Sequence, residues 1–189
     1  MKKKILVLAF IALCLSMISY ATLAYFTYED TATNVITMGN IRIELQETAI
    51  PEGGGEPIPF KDAYDVLPGK EVSKIVQIKN VGAQQAWIRI SVESSIALAE
   101  GVEGEVDPTL IGFDLNKECW IEQDGYYYYK EVLKPGDTTV PLFTKVKFDP
   151  EMGNIYQNSK ALIRINAQAT QVIHNGDTVL EAVGWPKAE

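Results

Sequence analysis

Beyond residue 35, apolar and polar residues alternate in short runs, and no long stretch keeps the 3.6-residue period of a helix. Residues 35–46 alternate well and are rich in β-branched side chains, which predicts a strand. Residues 72–78 and 85–92 predict two more, joined by a turn at Asn80-Val81-Gly82. In the second of these, Ile88, Ile90 and Val92 share one face and Trp87, Arg89 and Ser91 the other. The aliphatic face is the one that belongs in a core. Residues 119–122 and 126–130 flank Gln123-Asp124-Gly125, and Asp-Gly is a strong signal for a tight hairpin turn. Residues 160–173 form the longest run, with Ala161, Ile163, Ile165, Ala167 and Ala169 on one side. Pro68-Gly69 and Pro135-Gly136 mark turns, because Pro fixes φ and Gly supplies a positive φ. Residues 140–148 and 179–183 read as further strands, 51–57 as a glycine-rich loop and 96–100 as a short helical turn. Residues 106–115 carry no clear period. About eight or nine strands with turn chemistry between them predict an all-β fold, a β-sandwich with jelly-roll or Greek-key connections.

The first 24 residues follow a different rule. Lys2, Lys3 and Lys4 precede an apolar run over 5–18 that only Ser16 interrupts, and Ser19, Ala21, Thr22 and Ala24 follow. Basic start, apolar centre and small-residue exit describe a secretory signal peptide, here a helix preceding the β-domain. Residues 5–24 are also about long enough to cross a bilayer core, so a retained anchor is the competing reading. Thr22 with Ala24 suits a signal peptidase and favours a cut between Ala24 and Tyr25. On that reading the membrane is touched only through the uncut signal. The chain then divides into signal peptide (1–24), mature N-terminal segment (25–34), β-domain (35–185) and tail (186–189). Cys14 follows Leu13, where a lipid-modified cysteine needs a small residue, so it is not a lipidation site.

Charge narrows the partners. The chain carries 17 basic and 25 acidic residues, net −8; removing 1–24 takes three lysines and no acid, leaving −11. Such a surface repels nucleic acid, which is excluded as a partner, and favours solubility outside the cell. After cleavage Cys119 is the one remaining cysteine, so the domain has no internal disulfide and stands on its core.

Reaction chemistry finds little to work with. The single histidine, His174, stands before Asn175-Gly176-Asp177 and reads as an exposed turn residue. No His/Cys spacing suits a metal, no Gly-x-Ser-x-Gly elbow is present, and Gly53-Gly54-Gly55 lacks the lysine and helix of a phosphate cradle. An enzyme is not expected, and neither is a cofactor or metal. Tyr126, Tyr127, Tyr128 and Tyr129 are candidate surface aromatics. On a strand two of these rings point inward and two outward, and the outward pair could stack on sugars or on another subunit. Trp87 and Trp185 carry the same ambiguity, with burial the favoured reading.

Several blocks occur together in order. Ala24-Tyr25-Phe26-Thr27, Asp30-Thr31-Ala32-Thr33-Asn34 and Met38-Gly39-Asn40-Ile41 resemble the N-termini of TasA/camelysin-like exported proteins of Gram-positive bacteria, the substrates of a SipW-type signal peptidase. Leu67-Pro68-Gly69-Lys70, Lys79-Asn80-Val81-Gly82, Ala86-Trp87-Ile88-Arg89, Leu133-Lys134-Pro135-Gly136 and Glu181-Ala182-Val183-Gly184-Trp185 resemble later blocks of that family, so the likeness spans nearly the whole chain. It implies a jelly-roll subunit of biofilm matrix fibres, secreted to the matrix or cell surface, whose partners are its own copies and other matrix proteins. It further implies that residues 25–34, once freed, add as a strand to the next subunit, with Tyr25, Phe26 and Tyr28 as anchors. A monomeric cell-surface adhesin or carbohydrate-binding module is the alternative. The camelysin branch carries a protease label, but no metal or nucleophile motif is present to match it.

Overall fold

A computed structural model describes residues 41–60 and 68–186 in full and residues 34–36 and 64–65 as backbone. The signal segment, the cleavage pair Ala24 and Tyr25, and the donor residues Tyr25, Phe26 and Tyr28 lie outside the described residues. The regular structure of the described chain is mostly β, in antiparallel sheets with one parallel pair.

The largest sheet is built on two long strands, β7 (Ala86–Ala97) and β12 (Lys160–Gln171), paired antiparallel through twelve residues of each. β7 also pairs with β10 (Tyr126–Tyr129), which forms a hairpin with β9 (Trp120–Gln123). The turn is Asp124-Gly125, and both residues have positive φ (51° and 78°), as a two-residue hairpin of this hand requires. Along the other edge of β12 lie two short strands, β1 (Asn34–Ile36) and β4 (Tyr64–Asp65). β1 runs parallel to β12, the one parallel pair among the described strands.

Two three-stranded sheets complete the framework. One orders β3 (Ile58–Pro59), β2 (Ile43–Ala49) and β6 (Ile75–Asn80); the other orders β5 (Glu71–Ser73), β11 (Lys145–Phe148) and β8 (Ile111–Phe113). Backbone hydrogen bonds stitch them together. Leu142 N–H donates to Val76 O, Val76 N–H to Phe143 O and Thr139 N–H to Ile78 O, so residues 137–144 continue β11 alongside β6 without regular ladder geometry. Lys74 separates β5 from β6. Its side chain is buried, its ammonium pairs with the Glu47 carboxylate and lies 3.6 Å from the centre of the Phe60 ring. A buried charge is tolerable only with such a partner.

Side chains from the large sheet and both small sheets meet in one aliphatic and aromatic core. Val76 and Ile78 of β6, Ile88 and Ile90 of β7, Val146 of β11 and Ala167 and Ala169 of β12 are completely buried in it. Each large aliphatic side chain buried this way contributes about 1.5–3 kcal/mol of transfer free energy.

Five expectations from the sequence are corrected here. Residues 72–78 are not one strand: Lys74 separates β5 from β6, which belong to different sheets. Residues 35–46 do not form one strand: β1 and β2 belong to different sheets. Residues 96–100 hold no helical turn, because β7 runs on to Ala97 and pairs there with Lys160. Only Lys145–Phe148 of the stretch 140–148 is a regular strand. Residues 179–183 form turns, not a strand. Along residues 137–144 side-chain hydrogen bonds, which leave no periodic trace, supplement the irregular backbone bonds. Thr139 Oγ1, for example, accepts from Ile78 N–H at 3.0 Å.

Candidate interaction surfaces

The tyrosine run shows what β10 does with its two faces. Tyr127 and Tyr129 turn toward the main core, where Tyr129 packs on Trp120 with ring centres 5.0 Å apart. Burial raises the pKa of both hydroxyls, assisted at Tyr127 by the charge of Glu122. Both therefore stay protonated at neutral pH. Tyr126 and Tyr128 occupy the opposite, outer face, beside Trp87 and Arg89 of β7.

Arg89 organises that outer face. Its Nε donates to Gln168 Oε1 at 2.7 Å and an Nη to the Tyr128 hydroxyl at 3.3 Å. Its guanidinium carbon lies 3.9 Å from the Tyr126 ring centre and 4.6 Å from that of Trp185. Register explains the meeting: Arg89 sits opposite Tyr128 on one side and Gln168 on the other. A guanidinium stacked between aromatic faces holds them by cation–π attraction. The outward tyrosines thus do not stand free; Trp185 reaches back over them, edge-on to Tyr128 at 5.8 Å.

Trp185 belongs to a cap formed by residues 172–186. Its centre is Asn175, which is buried. Asn175 Nδ2 donates to Thr170 Oγ1, Gln171 O and Val183 O, while Oδ1 accepts from Val183 N–H. One amide therefore ties both ends of the cap to the end of β12. Glu181 accepts from the backbone N–H groups of Asp177 and Thr178. Gly176 has φ +78°, and a Cβ there would fall 2.9 Å from carbons of Glu181, so only glycine fits. Val179 and Ala182 drop from the cap onto Trp87 and Tyr128 to make a second, smaller core. The sequence offered one signal for this cap, the turn-forming string Asn175-Gly176-Asp177. His174 is exposed within it and adopts φ +57°. Cys119 is a half-buried free thiol beside the main core. Among the described residues no cluster of His, Cys, Asp or Glu could hold a metal ion.

A second surface is an edge rather than a face. On the side of β12 away from β7, β4 pairs with Lys160 and Ala161 and β1 pairs with Asn166, Ala167 and Gln168. Between them, residues 162–165 have no partner strand on that side among the described residues. Asn34, the first residue of β1, pairs with Asn166, so the unpaired stretch adjoins the N-terminal end of β1. An unpaired strand edge offers backbone N–H and C=O groups to another strand. Leu162 in this stretch lies on the outward face of β12 and is 41% exposed.

Among the described residues these surfaces define an all-β fold with a capped aromatic face and a sheet edge that has no partner strand at residues 162–165. Comparison with protein-family models, curated proteins and solved structures finds no match to this chain.

Proposed function

We propose that the protein is a secreted structural subunit or accessory protein of an extracellular biofilm matrix fibre, of the TasA/camelysin-like kind. Its sheets form a jelly-roll or Greek-key β-sandwich. Cleavage between Ala24 and Tyr25 frees residues 25–34, which add as a strand to the next subunit, with Tyr25, Phe26 and Tyr28 as anchors. The observation that carries this reading is that residues 162–165 of β12, next to the point where β1 begins, have no partner strand on that side among the described residues. Main-chain hydrogen bonds supply affinity in strand addition, and alternate side chains set the register. Among the described residues β4 holds its part of that edge through two residue pairs. Cleavage acts as the switch, because a segment tethered in a membrane cannot reach a neighbour.

The test compares two forms. A chain beginning at Tyr25 is expected to form filaments visible by electron microscopy. A chain beginning at Thr33, which keeps β1, is expected to remain monomeric with an unchanged melting temperature. Equal assembly by both forms would remove strand donation, and a monomeric Tyr25 form would remove the fibre reading altogether.

A further inference from the structure

Asn175-Gly176 is the one Asn-Gly pair in the chain. Asparagine before glycine is chemically labile, because a residue without a Cβ leaves its backbone nitrogen open to the preceding side chain. The cap can do without neither residue. A Cβ at position 176 would fall 2.9 Å from carbons of Glu181, so the glycine is required. At position 175 one side chain must both donate and accept. Nδ2 donates to Thr170 Oγ1, Gln171 O and Val183 O at 3.2, 2.8 and 2.9 Å, and Oδ1 accepts from Val183 N–H at 2.8 Å. A short side chain that does both from one planar group is asparagine. The geometry that closes the cap thus also builds a reactive pair into its centre.

The reaction of such a pair is hydrolytic and consumes only water. The Gly176 nitrogen gives its proton to solvent and bonds to Asn175 Cγ. The bond from Cγ to Nδ2 breaks and ammonia leaves, and water then opens the five-membered imide to aspartate or isoaspartate. To close that ring the amide must let go of Thr170, Gln171 and Val183, so the shut cap holds the reaction back. The cap has the marks of a segment that opens locally. Residues 172–186 contain no regular helix or strand, and Ile173 and Val183 are 61% and 69% exposed. Their hold on the sheet is the small core around Val179 and Ala182, the Asn175 amide, and Trp185 stacked 4.6 Å from the Arg89 guanidinium carbon. The product does not restore that hold. A carboxylate has no proton for Gln171 O or Val183 O and sets a negative charge against both carbonyls.

We propose that Asn175 is a deamidation site gated by opening of the cap, which makes the cap a one-way latch over Arg89, Tyr126 and Tyr128. Trp185 keeps the latch shut, and conversion of Asn175 keeps it open. The latch does not depend on filament formation, and its test does not read assembly. The purified chain is incubated folded and, separately, unfolded in guanidinium chloride at the same pH and temperature. Conversion at Asn175 is followed by peptide mass spectrometry as a gain of about 1 Da. The folded chain is expected to convert about tenfold or more slowly than the unfolded one, because only the open fraction reacts. Trp185→Ala is expected to speed conversion in the folded chain about tenfold, with protease cutting confined to residues 172–186. Asn175→Asp, which installs one product directly, is expected to be cut in the same segment while the rest of the domain stays resistant. The proposal is overturned if the folded parent converts as fast as the unfolded chain, or if Trp185→Ala converts no faster than the parent or is cut throughout the domain. It is equally overturned if Asn175→Asp resists protease as the parent does.

Discussion

The two faces of the large sheet are built from the same strands and solve opposite problems. Inward, β7 and β12 present Ile88, Ile90, Ile163, Ile165, Ala167 and Ala169, and regular strands of the small sheets cover them. Outward, the same strands present Trp87, Arg89, Gln168 and Thr170, and a segment without regular structure covers them. The inner face needs only shape and apolar area. The outer face keeps polar groups, and each must find a specific partner: Arg89 finds Gln168 and rings, and Thr170 and Asn175 find Val183. One polar group of this face, the Trp87 indole N–H, is buried without a partner among the described residues. The aliphatic face contributes stability.

That contrast is open to direct attack. Ile90→Ala removes a completely buried side chain from the inner face and is expected to cost about 2–5 kcal/mol in urea unfolding. A loss no larger than that of an exposed alanine substitution would contradict the assignment of this face. Asn175→Ala on the outer side is expected to cost less, about 1–3 kcal/mol, since it orphans carbonyls that retain access to water as the cap opens. Its signature is local: limited proteolysis should cut within 172–186 while the remaining domain stays folded. Unchanged resistance to protease would mean that stacking on Arg89, not the amide, holds the cap.

A third change lies off both faces and serves as a control. Burial pushes the Asp114 carboxyl up, but the Thr144 hydroxyl and the N–H groups of Thr144 and Lys145 outweigh it, leaving its pKa below the ordinary 3.8. A depressed carboxylate stabilises the fold fully above its unfolded pKa, and that share is lost as pH falls through the folded value. Asp114→Asn should therefore lower stability at neutral pH and flatten its decline below pH 3.8, measured by melting at stepped pH. A decline as steep as the parent's would assign the acid sensitivity elsewhere, for instance to Glu71, which Lys145 and Lys147 hold below its usual range.

Much of the inner face was legible from the sequence. Period-two alternation identified the core residues of β7 and β12, and Asp124-Gly125 announced the β9–β10 hairpin. The outer face was legible only in part. Alternation divides Tyr126–Tyr129 into two pairs, but nothing local says that Trp185 returns to cover the outer pair. The split between β1 and β2 was hidden for a related reason, since both halves carry strand-like residues and only the global topology sends them to different sheets. Residues 137–144 escaped because irregular backbone bonds to β6, helped by the Thr139 side chain, hold them, and residues 172–186 because the Asn175 amide holds them. Such bonds depend on partners 61 and 8 residues away in these two cases, and no window of alternation registers them.

The most direct test of the fibre account is amide hydrogen exchange at residues 162–165 of β12, compared between the assembled chain beginning at Tyr25 and the form beginning at Thr33. Strand addition at this edge predicts that these amides gain protection on assembly while those of β9, at the opposite edge, do not. Filaments in which residues 162–165 exchange as fast as in the shortened form would contradict it.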